Sequence, residues 1–172
     1  AGKTTFCESS ANVPFIVRPP KGVDVEPGRE SDALIEWADI LPTLCDVAKA
    51  NVPNDVTGKS LMPVVDGRQD IVRETLHGQI HGSHMFHDGQ HKYLYFVEDG
   101  AELLFDVAQD RQDAVHLTGE KVGEMRERFK AHLSEEGHEH LVNGELLDQG
   151  QEKPPVNRVR AMNPSGLRGA GR

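Results

Sequence analysis

The chain has 172 residues, 37% of them hydrophobic and 27% charged, which suits a water-exposed chain with one ordinary domain's worth of core. Its net charge of −9 argues against nucleic acid as a partner, because phosphate neutralisation needs clustered Lys and Arg. No apolar run approaches the ~20 residues that a membrane span requires.

The chain opens Ala1-Gly2-Lys3 rather than with Met, inside what reads as a motif, so the natural N-terminus is expected further upstream. Val13 to Val17 is apolar and partly β-branched and predicts a short buried strand, with Pro14 in its first residues. Arg18-Pro19-Pro20 ends it, and Lys21 to Glu30 reads as a loop. Ala33 to Trp37 predicts a second strand, with Trp37 in the core. A helix from about Asp39 to Ala50 follows, capped by Asp39, because Pro42 is tolerated only in a first turn. Asn51 to Asp70 is a long connection with Pro53, Gly58, Pro63 and Gly67, and it is the candidate domain boundary.

Beyond it the pattern turns to β. Arg73 to Ile80 is a candidate strand, and Ser83–Phe86 and Lys92–Val97 flank Asp88-Gly89, a hairpin signal. Glu98-Asp99-Gly100 turns the chain again before a strand at Leu103–Phe105. Thr118 is the expected cap of a helix that runs to about Glu136 and stops at Gly137. Val122, Met125, Phe129 and Leu133 form its apolar stripe, which should cover one face of the antiparallel meander. The last stretch, Gln151 to Arg172, has five basic residues against Glu152, a net of +4, which leaves −13 on residues 1–150. It reads as a solvated basic tail, with a weak anionic contact as the alternative. Cys7 and Cys45 form neither a disulfide framework nor a zinc pattern and are expected as buried thiols.

Four segments carry a resemblance. Gly2-Lys3-Thr4-Thr5-Phe6-Cys7-Glu8-Ser9-Ser10-Ala11-Asn12-Val13-Pro14 resembles the sulfatase pattern G-K-x-x-x-Y-E-G-G-x-R-V-P. Ala38-Asp39-Ile40-Leu41-Pro42-Thr43-Leu44 resembles that family's D-[IL]-x-P-T-[LI] helix start. Thr57-Gly58-Lys59-Ser60-Leu61-Met62-Pro63 resembles D-G-x-S-L-x-P. Asp88-Gly89, Lys92-Tyr93, Leu104-Phe105-Asp106 and Asp110 resemble the late D-G-x-x-K-Y … L-[YF]-D-L-x-x-D-P run. The four follow in the family's order over about residues 2–117. Cys7 stands where Tyr is usual, Ser9-Ser10 where the glycine pair is, Arg111 where Pro is common, and Asn12 in place of an Arg that could pair with Glu8.

The resemblance implies an α/β class, α+β within this chain. It implies the end of an alkaline-phosphatase-like α/β domain in residues 1–67, followed by a small antiparallel sheet packed by a long helix in 68–150, with 151–172 as a flexible basic tail. It implies a sulfuric ester hydrolase that uses a divalent cation, usually calcium, and a formylglycine nucleophile made in a C/S-x-P-x-R motif. No such motif follows Cys7 or Cys45, and the paired Asp residues and the Asp-Asn metal pair are absent, so nucleophile and metal ligands are expected upstream and the chain is expected to be inactive alone. The implied partner is a small-molecule or glycan sulfate ester, with no nucleic acid and no membrane span in this segment.

Lys3 is the catalytic and substrate-binding candidate. In the family the lysine at this position contacts a sulfate oxygen, where a compact ammonium can stabilise developing charge. Glu8 reads as structural. His77, Gly78 resembles an H-G turn at the active-site mouth, so His77 is a candidate contact to the leaving group, with a structural role as its rival. His77, His81, His84, His87 and His91 crowd one stretch, but no helical pair or acid–His alternation among them fixes a ligand set, so no metal site is expected there. Asp88 and Lys92 read as turn and strand residues. Gly2-Lys3-Thr4 and Gly58-Lys59-Ser60 mimic a phosphate-binding loop but lack its first glycine or its following helix. Two other readings stay open: a phosphonate monoester or phosphodiester hydrolase of the same superfamily, and a non-catalytic binding module.

Overall fold

A computed structural model of the chain describes residues 6–151. The chain separates into two compact units, one of residues 1–13 with 77–172 and one of residues 14–76.

In the second of these, Trp37–Asp39 forms a 3-10 turn that leads into helix α2, Ile40–Ala48, and Met62–Val65 forms the short helix α3. (Helix α1, Glu8–Ala11, belongs to the other unit.) Two expected strands are absent. Residues 13–17 are irregular and Ile16 is 91% exposed; residues 33–36 are irregular too, and Trp37 is 77% exposed rather than core. Their sequences supply β-prone side chains, but a strand also needs a partner edge for its N–H and C=O groups. Helix α2 does begin beside Pro42, in its first turn as expected. Asp39 gives it no side-chain cap, because the carboxylate is committed elsewhere.

In the other unit four strands lie in the order β1-β2-β3-β4: Leu76–Ile80, Ser83–His87, His91–Phe96 and Ala101–Asp106. Pairs β2–β3 and β3–β4 are antiparallel, with Phe86 opposite Tyr93 and Tyr93 opposite Leu104. Asp88-Gly89 makes the hairpin turn, where Gly89 takes a φ of 92° that a side chain would oppose. Helix α4, Glu120–Glu136, lies over one face. Phe86, Tyr93, Tyr95, Val97 and Leu104 from the sheet meet Met125, Phe129 and Leu133 from α4 in a single core. The helix starts after Gly119 without a side-chain cap, so the Thr118 cap is not formed, whereas Gly137 in the left-handed conformation ends it as expected. A two-stranded ribbon, β5 (Leu141–Val142) with β6 (Glu145–Leu146), follows.

The period-2 alternation sends Met85, Leu94 and Phe105 to the opposite face, and these are buried as well. The N-terminal segment covers part of that face: a Cβ on Gly78 would sit 3.1 Å from the Phe6 ring, so glycine is what lets the segment lie close. His77-Gly78 is therefore strand, not an H-G turn. Cys7 is buried as expected, while Cys45 is only half-buried.

Candidate functional site

Lys3 lies outside the described residues. What the structure shows is how the segment just after it is fixed. The Lys92 ammonium, fully buried on β3, lies 2.8 Å from Glu8 Oε1 and 2.6 Å from Asp113 Oδ2. Asp113 Oδ2 also accepts the Glu8 backbone N–H at 2.7 Å, and Asn12 Nδ2 donates to Glu8 Oε2 at 3.0 Å. Burial alone would raise the Glu8 carboxyl, but the bond and charge of Lys92 hold it below its ordinary value. Asp113 goes the other way: burial outweighs the attraction of Lys92, and its pKa is raised. One ammonium serves two carboxylates, and the more deeply buried one, Asp113, bears the larger desolvation. Glu8 is structural, as expected. Lys92, read from sequence as an ordinary strand residue, is the hub.

The two middle motifs form a clasp within residues 14–76. Asp39 accepts the Glu36 N–H and the Lys59 N–H, each at 2.8 Å, and is paired with Arg73 through the two terminal guanidinium nitrogens. Burial would raise its pKa; the Arg73 bond and the two amides bring it below its ordinary value. Thr43 Oγ1 donates to the Asp39 carbonyl at 2.6 Å and accepts the Leu61 N–H at 2.9 Å, and Ser60 Oγ donates to Asp46 at 2.7 Å. A Cβ on Gly58 would fall 2.0 Å from the Ala38 carbonyl oxygen. The residues of these motifs thus hold each other. Asp88 and Asp110 do the same for turns: Asp88 takes the Gln90 and His91 N–H groups and pairs with Arg128, and Asp110 takes those of Gln112, Ala114 and Val115.

The histidines gather, though not the five adjacent in sequence. His77 and His84 meet His132 of α4 and His138 and His140 beyond it. His77 and His84 stack with ring centres 5.3 Å apart, and the other three rings stand edge-on or tilted around them. A chain of bonds runs from Glu136 Oε2 to His77 Nδ1 (3.3 Å), from His77 Nε2 to His84 Nδ1 (3.0 Å), and from His84 Nε2 to His140 Nδ1 (2.7 Å). Burial, with its histidine neighbours adding to it, lowers His84 to about 3, and burial lowers His77 and His140 as well. Burial thus favours the neutral form of His77, His84 and His140. His81, His87 and His91 take no part in this chain of bonds. Sequence spacing hid the grouping because three members come some 50 residues later; the signal that could have found it is His132 and Glu136 at i,i+4 on one helix face.

Among the described residues two groups could converge on an ion: His84 with His138 and His140, and His77 with His132 and Glu136. Both are dominated by imidazole nitrogen. Calcium takes six to eight oxygen ligands, so these residues do not fit it.

A small antiparallel sheet packed by one long helix is the architecture that the resemblance implied for residues 68–150. The sequence matches the family described as N-sulphoglucosamine sulphohydrolase, C-terminal, over residues 2–139, and the chain belongs to that family. An arylsulfatase of Clostridium perfringens is 33% identical over 131 residues, 71% of this chain and 26% of that protein. A ulvan-active sulfatase of Formosa agariphila is 32% identical over 148 residues, 64% of this chain and 29% of that one. A solved structure of a protein in complex with its substrate D-glucosamine-2-N,6-O-disulfate aligns with a TM-score of 0.45 and 21% identity, covering 58% of this chain and 23% of that one. The chain thus spans between 26% and 29% of the length of the two curated relatives. No helix among the described residues is long and apolar enough to cross a membrane.

Proposed function

We propose that this chain is the C-terminal part of a sulfuric ester hydrolase, with residues 1–67 ending its catalytic α/β domain and residues 68–150 forming the small sheet-and-helix subdomain. The family match over residues 2–139 carries this reading. Hydrolysing a sulfate monoester requires the charge on the non-bridging oxygens to be neutralised, a nucleophile to attack sulfur, and the leaving oxygen to be protonated. Calcium and formylglycine belong, in this reading, to polypeptide preceding Ala1, and no step is assigned to them on this chain. The substrate class is a small or glycan sulfate ester.

Lys3 is the residue that this chain contributes to the reaction. Its ammonium would rest against a sulfate oxygen. The Glu8–Lys92–Asp113 anchor lies five residues beyond it in sequence and fixes the chain that follows. His77 has both ring nitrogens engaged, with His84 and Glu136, and is assigned to the histidine cluster rather than to substrate.

The test is to express the complete gene product and compare hydrolysis of an aryl sulfate, an aryl phosphonate monoester and an aryl phosphodiester. The expected result is preference for the sulfate and a fall in kcat/KM of about 10²- to 10³-fold in Lys3→Ala, the scale of losing one charge-stabilising donor. Preference for the phosphonate or diester would move the assignment within the superfamily. Unchanged kinetics in Lys3→Ala would remove the role given to that lysine.

A further inference from the structure

The carboxyl end of α4 faces β1 across a set of donors that no sulfate chemistry uses. His132 and Glu136 are four residues apart on the helix, so their side chains project from one face. His77 comes toward them from β1. Glu136 Oε2 is 3.3 Å from His77 Nδ1, and Glu136 Oε1 is 3.3 Å from His132 Nε2. The three residues each offer one ligand atom, and those atoms all lie within 4.8 Å of one another. In a tetrahedral zinc site with Zn–N of about 2.0–2.1 Å, neighbouring ligand atoms sit about 3.3 Å apart, so the donors stand close to the required spacing.

We propose that His77, His132 and Glu136 form a binding site for a divalent transition metal of the zinc type, which clamps the last turn of α4 to strand β1. Two imidazoles and one carboxylate are a donor set that zinc accepts, with a fourth position left for water.

The next layer of contacts agrees. His132 Nε2 is buried and has no hydrogen-bond partner among the described residues, although Glu136 Oε1 lies 3.3 Å away. Buried ring nitrogens are ordinarily bonded, and a lone pair with nothing to accept is what a ligand nitrogen leaves when its ion is absent. A ligating histidine ordinarily hands its other N–H to an acceptor, which fixes its tautomer. With the ion on His77 Nδ1, His77 Nε2–H donates to His84 Nδ1, and His84 Nε2–H donates to His140 Nδ1, so one assignment of protons satisfies the whole row. Glu136 is 47% exposed, which gives an ion a way in.

The rival trio of His84, His138 and His140 is already spent. His84 Nε2 and His140 Nδ1 are bonded to each other at 2.7 Å. His138 uses Nδ1 to accept the His140 backbone N–H at 3.1 Å, and Nε2 to meet Gln79 Oε1 at 2.9 Å.

The experiment is zinc chloride titration of the complete gene product after chelator treatment, read by bound-metal stoichiometry and by the visible absorption of the cobalt-substituted protein. His132→Ala and Glu136→Gln are compared with His81→Ala, a change outside the cluster. The expected result is one zinc equivalent whose affinity falls at least tenfold in His132→Ala and in Glu136→Gln and is kept in His81→Ala, with a tetrahedral cobalt spectrum lost in the same two variants. Glu136 is exposed, so Glu136→Gln stays informative even where the His132 change disturbs packing. Zinc uptake that is missing in the parent, or equal in parent and both variants, would overturn the site whatever the outcome of the sulfatase assay.

Discussion

Lys92 sets the terms at the scale of single residues. A buried ammonium between two carboxylates gains little net stability over an apolar trio, since desolvation takes back most of the Coulombic gain, but removing one member strands the others. Lys92→Ala leaves Glu8 and Asp113 facing each other without a cation, and the expected loss is about 3–5 kcal/mol in denaturant unfolding. Asp113→Asn should cost clearly less. Its amide oxygen can still accept the Glu8 N–H, and the raised pKa shows that the ionised carboxyl is already the strained form. Equal losses in the two variants would contradict the division of roles drawn between Glu8 and Asp113. The structural role of Glu8 was legible beforehand; its buried partners Lys92 and Asp113 were not. The sequence pairs Glu8 with the residue at position 12 in the family's pattern, and Asn12 does bond it, but the charge partner sits 84 residues away.

Among elements, the clasp made by the two middle motifs explains why such residues recur together without touching substrate. Gly58→Ala would place a methyl inside the Ala38 carbonyl, and about 3 kcal/mol of destabilisation is expected from the forced backbone shift. Asp39 adds a pH dependence. Its pKa is lower folded than the ordinary 3.8, so its contribution is fully present above 3.8 and is lost as pH falls through the folded value. Trp37, the one tryptophan of the chain, is two residues away and reports on this unit. Trp37 fluorescence should show stability falling below pH 3.8, and Asp39→Asn should flatten that slope while lowering stability at pH 7. An unchanged slope would mean that Arg73 does not hold the carboxylate charged.

The elements that were legible are those whose partners are local. β2 and β3 announce themselves through alternation and the Asp88-Gly89 turn, and α4 through its stripe and Gly137. The strands expected at 13–17 and 33–37 failed because an apolar run states a preference for burial and says nothing about which edge it pairs with.

At the scale of the whole molecule, several large apolar side chains of residues 14–76 are exposed. Leu41, Leu44 and Val47 line one side of α2 at three-residue spacing, with Leu44 60% exposed, and Phe15, Ile16 and Trp37 are exposed as well. Large apolar exposure of this kind marks a surface that something covers. In the proposed hydrolase the cover is the rest of the catalytic domain, which fits a chain that spans about a quarter of its relatives. A single substitution separates this from a self-sufficient module. Leu44→Asp should change the stability of the 172-residue chain by no more than about 0.5 kcal/mol, as surface changes do. In the complete gene product it should cost about 2–3 kcal/mol, the worth of a buried leucine, and lower the soluble yield. Thermal unfolding of both proteins measures the difference. A binding module would show the same small effect in each, because its α2 would face water in both.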